Sequence, residues 1–386
     1  MRIGLNLMWL IPGYRGLESY ARGLVSGLAR YDHSHRYVLF TNPRNHASFA
    51  HLPVQFSRHL CPLPFESRVT WRLVEQFLLP SYVARENLDL LHSPADLLPV
   101  RVRCPAIVTI HDLNFFSLSD RLPTTASRLL AGWVKRSARQ AHAIITVSEF
   151  SRAQILARLG PEPERIAVVP NAPAPRPRPA ASGWAPLRRE LGIASSYLLT
   201  FADGSPHKNL SALLRALPLA SANLPLVVIG ERQRQDGQVT ALLNDLEPHA
   251  QVTFTGYLSD DALAQVLAHA RLLVFPSLYE GFGLPVVEAM AAGVAVACAR
   301  AGALPEVAGN AAHYFDPRDP ADIARALDHL LLDEPARRAL IAAGQRHSSR
   351  FSWERTARLT IEVYEGAVGS YEAVRVSASN GTRARR

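Results

Sequence analysis

Residues 272–293, LLVFPSLYEGFGLPVVEAMAAG, constrain this chain more than any other stretch. Residues 272–275 are a short apolar run of strand type, and residues 277–283 form a loop with two glycines. Residues 284–292 have helical composition, with Pro285 in the first turn, where its missing N–H costs nothing. Gly293 fits the position just past a helix end. A strand, a glycine loop and a helix start in series turn free backbone N–H groups and a positive helix end toward an opening, which suits a phosphate or diphosphate. Glu280 lies on the loop and Glu288 about one turn inside the helix. Carboxylates do not bind phosphate but accept from hydroxyls. The two acids therefore imply sugar hydroxyls at both ends of a diphosphate, as in a nucleotide-sugar.

At Glu280, Gly281, Phe282, Gly283, Leu284, Pro285, Glu288, Ala289 and Met290 the sequence resembles the family-4 retaining glycosyltransferases. Their mark is two glutamates with seven residues between them in an EGFGLP…EAMA setting. The resemblance implies that Glu280 contacts the donor sugar, Glu288 the nucleotide ribose, and Gly281 to Leu284 the rest of the donor. It also implies an α/β fold of the GT-B type, two facing Rossmann-like domains with a cleft between them. The second domain holds the nucleotide-sugar and the first the acceptor.

The bulk numbers agree with two globular domains: 386 residues are long for one core, with 48% hydrophobic and 19% charged residues. The net charge of +9 is uneven. Residues 1–172 carry 20 basic and 12 acidic residues, a balance of +8, and the remainder 22 and 21, a balance of +1. An anionic acceptor, an anionic membrane surface or nucleic acid would each suit the basic half. No nucleic-acid-binding module shows, so nucleic acid ranks last. A general preference for arginine accounts for the excess equally well, because only Lys135 and Lys208 of the 42 basic residues are lysine. Cys61, Cys104 and Cys298 form neither a metal pattern nor a disulfide set, which points to a reducing cytoplasm. The apolar start reads as a first strand and not a signal peptide. No run has the ~20 apolar residues of a transmembrane helix, so any contact with the inner face of the inner membrane would be peripheral.

In chain order, residues 3–10 read as a buried strand leading into Gly13, Gly16 and a helix. The resemblance puts that loop beside the donor diphosphate, with Gly16 the candidate. Basic and aromatic residues interleave at Arg58, Phe65, Arg68, Trp71, Arg72 and Phe77, as a face for acceptor or lipid or as an ordinary amphipathic helix. Residues 106–110 are a strand ending in His111 and Asp112, and ligands gather at such carboxyl ends. The T-I-H-D-L context resembles the same family, where the histidine touches the donor sugar. Residues 173–185 are a proline-rich linker, which divides an acceptor domain (1–172) from a nucleotide-sugar domain (186–350). By the same resemblance a helix over 351–369 crosses back to the first domain. Residues 370–386 are polar and basic, and read as disordered.

In the second half, residues 197–201 form a strand that feeds D-G-S-P-H-K-N, where Lys208 presents a compact cation to a phosphate, next to Asn209. Many family members carry an arginine five residues before this lysine; here that position is Asp203. Arg15, Arg300 or backbone N–H groups would have to replace the missing cation. Tyr257, after a strand at 252–255, borders the nucleobase. The chain has no D-x-D pair, so the expectation is metal-independent transfer, with no cofactor beyond the donor substrate. The family precedent is retention: the departing phosphate oxygen takes the acceptor's proton on the same face, with Lys208 stabilising charge and His111 and Glu280 positioning the sugar. HDLNFF, SPHKN and EGFGLPVVEAMA are most similar to bacterial mannosyltransferases that build lipopolysaccharide, O-antigen or exopolysaccharide from GDP-mannose onto lipid-linked saccharides. Sister groups use UDP-glucose or UDP-GlcNAc. A UDP-sugar epimerase and a non-catalytic nucleotide-sugar-binding protein are the rival readings.

Overall fold

The computed structural model describes residues 1–11, 15–62, 68–114, 125–174, 181–222, 224–246 and 251–383. They divide into two compact units, Met1–Ala172 with Ser352–Arg386, and Pro173–Phe351. Gly13, Phe65 and residues 175–180 of the expected linker lie outside the description, as do the side chains of Arg15, Arg68, Trp71 and Arg72.

The first unit is built on seven parallel strands: β1 (Arg2–Asn6), β2 (Arg36–Thr41), β3 (Phe56–Leu60), β4 (Leu90–Ser93), β5 (Ala106–Thr109), β6 (Ala143–Thr146) and β7 (Ile166–Val168). Their order is β3-β2-β1-β4-β5-β6-β7. β4 and β5 are buried at every position, as expected of strands covered by helices on both faces. β1 is shorter than its apolar run. Residues 7–10 leave the sheet as a buried turn whose carbonyls are held by two buried asparagines: Asn42 Nδ2 donates to Met8 and Leu10, and Asn45 Nδ2 to Leu7 and Leu10, at 2.8–3.0 Å. An unbroken apolar run does not distinguish a strand from such a turn.

The helix Trp353–Arg383 packs on the helix Arg15–Tyr31 where glycine allows close approach. A Cβ on Gly23 would lie 2.1 Å from the Trp353 ring, and one on Gly27 2.6 Å from the Trp353 carbonyl oxygen. Thr356 Oγ1 donates to Pro170 O at 2.7 Å, and the Tyr364 hydroxyl meets His92 Nδ1 at 2.7 Å. The helix continues through most of the stretch expected to be disordered. That stretch has neither glycine nor proline before Gly381, and Tyr371 sets its ring edge-on to His142 at 5.2 Å.

The second unit carries β8 (Leu198–Phe201), β9 (Leu226–Ile229), β10 (Val252–Phe254), β11 (Leu272–Phe275), β12 (Val296–Ala299) and β13 (His313–Phe315). They are again all parallel, in the order β10-β9-β8-β11-β12-β13. Ala181–Glu190 is a helix despite Pro186, so the last part of the expected linker is ordered. Trp184 stacks on His269 with centroids 4.3 Å apart and planes 9° from parallel. That long-range contact, worth about 0.5–1.5 kcal/mol, offsets part of the ~3 kcal/mol that proline costs inside a helix.

Candidate functional site

The strand order of the second sheet reverses between β8 and β11: β9 and β10 continue one side, β12 and β13 the other. Loops leaving two such neighbours diverge, and a crevice opens at their carboxyl ends. The loop after β8 carries Lys208 in a tight 3₁₀ turn, Pro206–Lys208. The loop after β11 carries Glu280 and runs into the helix Leu284–Ala291. The two meet: Lys208 Nζ donates to Glu280 Oε1 at 2.8 Å, with side chains 18% and 12% exposed. The ammonium also stands 5.5 Å from the centroid of the Phe275 ring. A nearly buried pair of this kind costs desolvation on both partners, and removing either strands the other.

Two devices hold the loops in register. Asn209 adopts a left-handed conformation, φ +55°, and its Nδ2 donates to Pro276 O at 3.1 Å and Pro317 O at 2.8 Å. Leu278 N–H reaches His207 O at 2.8 Å. Asn209, expected among the donor contacts, thus gives its two amide protons to the protein's own backbone. The second device is the loop after β12. Ala303 N–H donates to Glu280 O at 3.0 Å. Gly302, at φ +59°, passes so close that a Cβ there would sit 2.7 Å from Glu280 N and 2.8 Å from Glu280 O. The sequence reading missed Gly302. Its signal is present, since Gly302, Leu304 and Pro305 echo the glycine–leucine–proline turn at residues 283–285.

Gly283 caps the helix at φ +91°, and a Cβ there would meet Leu304 Cδ2 at 2.5 Å. Phe282 is buried with its ring edge-on to Phe351 at 5.6 Å, so only its backbone is available to a ligand. Glu288 lies in the same helix and is 6% exposed. Tyr257 is 61% exposed beyond β10, after Gly256 at φ +65°. Nearby, Gly230, Arg232, Gln233, Phe254, Thr255 and Gly256 line a cavity of about 490 Å³ at the carboxyl ends of β9 and β10.

Burial raises the Asp203 carboxyl, but the Ser205 N–H at 3.0 Å and the Lys208 charge more than offset this and hold it below the usual carboxylate range. A negative charge therefore stands where many family members have arginine. Arg300 places its guanidinium 4.9 Å from the centroid of the Tyr314 ring.

His111 and Gly16 belong to the first unit. Gly16 is the second residue of the helix Arg15–Tyr31, and a Cβ there would meet nothing within 4 Å. His111 follows β5. Its Nε2 donates to Pro94 O at 3.0 Å, which leaves Nδ1 as the ring's acceptor, and Tyr20 packs edge-on at 4.5 Å. Burial holds its pKa below the ordinary histidine value, against the pull of Pro94 O and Asp112, so the ring is neutral at pH 7.

Two parallel-sheet Rossmann-like units define the class of this fold, GT-B. Sucrose-phosphate synthase from Thermosynechococcus elongatus has the same fold, with a TM-score of 0.76 at 20% identity over 96% of this chain and 100% of that one. WaaG, a glycosyltransferase involved in lipopolysaccharide biosynthesis, gives 0.72 at 16% over 94% and 100%. Residues 14–172 match the family described as Glycosyltransferase Family 4, and residues 188–347 that described as Glycosyl transferases group 1. The O-antigen chain mannosyltransferase B of Escherichia coli is 32% identical over 292 residues, 74% of this chain and 76% of that protein. The MMP alpha-(1->4)-mannosyltransferase of Mycolicibacterium hassiacum is 35% identical over 62% of this chain and 57% of its own length. The chain belongs to this family of glycosyltransferases.

Proposed function

We propose that the chain moves mannose from GDP-mannose to a saccharide acceptor, lipid-linked or free, in the synthesis of lipopolysaccharide, O-antigen or exopolysaccharide. The observation that carries the reading is the Lys208–Glu280 pair at the switch point of the second sheet. Without donor, each charge satisfies the other. An arriving diphosphate competes for Lys208, and Glu280 is released to accept from a sugar hydroxyl. Lys208 and the amino end of the helix Leu284–Ala291 then oppose the charge that develops on the leaving diphosphate, the task of fixed donors in a dry site. Glu288 accepts from the ribose, and the cavity beside Gly256 takes the base. His111, by its motif, receives a sugar hydroxyl on Nδ1. Because Lys208 supplies the positive charge, no metal is required. The leaving phosphate oxygen takes the acceptor's proton on the face it departs from, and the anomeric configuration is retained.

Among the described residues no helix is long and apolar enough to cross a membrane. The basic half of the chain supports a peripheral place on an anionic surface.

The test is transfer from GDP-mannose and UDP-glucose, each with and without a lipid-linked saccharide, with the product anomer read by NMR. The expected result is an α-mannoside formed from GDP-mannose only when acceptor is present, at a rate unchanged by chelator. A β-product, a preference for UDP-glucose or a strict need for added metal would refute the corresponding part.

A further inference from the structure

A cavity of about 770 Å³ opens at the amino-terminal edge of the first unit's sheet, the edge opposite to the one His111 leaves. Its walls include Phe77, Val83, Leu98, Val100 and Val102, and Arg101 and Arg103 are exposed at it. No aspartate or glutamate is among its described lining residues, though burial and, after it, the nearby Asp89 carboxylate push the Cys104 thiol upward. His142 also lines it, with Nδ1 accepting from Ala106 N–H at 3.1 Å, so the ring's remaining proton lies on Nε2. Directly behind the wall, Arg136 Nη2 donates to Leu98 O at 2.9 Å, and Gln76 O accepts from Val100 N–H at 3.2 Å. Arg136 Nη2 also donates to Gln76 Oε1, but among the described residues Arg136 Nε and Nε2 of the buried Gln76 find no acceptor and no carboxylate pairs with Arg136. Buried donors normally have partners, so two orphaned together mark a place short of acceptors. Next to it, Phe77 and Leu78 are 64% and 44% exposed.

These features select their own complement. Apolar walls of this volume favour a hydrocarbon chain, and two arginines exposed at the cavity favour an anionic head. We propose that this cavity binds one acyl or isoprenoid chain carrying a phosphate or carboxylate, at a site separate from the donor loops. The inference does not depend on the proposed transfer reaction.

The probe is Cys104, which lines the cavity and is partly exposed, whereas Cys61 and Cys298 are buried. Labelling of Cys104 in the full chain is followed by mass spectrometry with dodecyl phosphate, dodecanoate, neutral dodecyl maltoside or inorganic phosphate, all below micellar concentration. Calorimetry supplies affinities. Dodecyl phosphate is expected to slow labelling about tenfold and to bind in the micromolar range. Dodecanoate binding equally well would show that the charge alone is read, and weaker binding that phosphate is preferred; both agree with the proposal. Ala84→Trp, at an exposed lining position, and the double variant Arg101→Glu/Arg103→Glu should each weaken binding about tenfold while GDP binding stays unchanged. The proposal is overturned if inorganic phosphate protects as well as dodecyl phosphate, if dodecyl maltoside binds equally, or if Ala84→Trp leaves affinity intact.

Discussion

Glu280 is aimed by backbone as much as by Lys208. Gly302 at φ +59° lies too close to Glu280 N and O for any side chain. Gly302→Ala must move that loop and adopt a conformation that costs an L-residue ~1–2 kcal/mol. The expected result is a loss of about 1–3 kcal/mol in stability and a disproportionate fall in kcat, read by urea melts and donor kinetics on one preparation. An unchanged kcat would mean that the Gly302 loop does not set the carboxylate. This residue-scale arrangement was only partly legible. Lys208 stood out because lysine is rare here, and Glu280 because seven residues separate it from Glu288. Their bond spans 72 positions, which local pattern does not reveal.

At the scale of elements, Asn209 ties the turn bearing Lys208 to the ends of β11 and β13. Asn209→Ala loses both bonds and leaves Ala in a left-handed conformation. Asn209→Gly loses the bonds alone. Thermal melts should show Ala costing about 2–3 kcal/mol and Gly roughly 1–2. Full stability in the Gly variant would show that conformation, and not bonding, is Asn209's contribution. The junction of the first and last helices of the first unit makes a parallel case. Gly23→Ala puts a methyl 2.1 Å from the Trp353 ring, and the expected cost is ~1–3 kcal/mol, readable as a lower urea midpoint with unchanged helicity. Elements marked by local chemistry were readable from sequence: glycine, proline and a short apolar run define 272–293 without outside help. Elements decided by distant partners were not. Residues 7–10 look like strand until Asn42 and Asn45 claim their carbonyls, and residues 181–185 look like linker until Trp184 finds His269.

For the whole molecule, His92 sets a pH limit. It is fully buried between Tyr364 and Thr109, and burial, with a smaller push from His111, drives its pKa down to about 3. The unfolded chain takes up that proton near pH 6.5 and the folded chain does not. Below pH 6.5 the unfolded state therefore binds more protons, and stability falls toward pH 3 by up to about 1.4 kcal/mol per unit from this group. Urea melts at pH 7.5 and 5 should show a smaller pH-dependent loss in His92→Gln than in the parent chain, even though the variant is weaker at pH 7.5. Equal losses would remove His92 from the account.

Calorimetric titration of GDP into the parent chain and Lys208→Ala, with melting curves to confirm that both are folded, tests the central claim most directly. The account predicts that the parent binds and that the variant binds at least about tenfold more weakly. Equal affinity in the two proteins would contradict it.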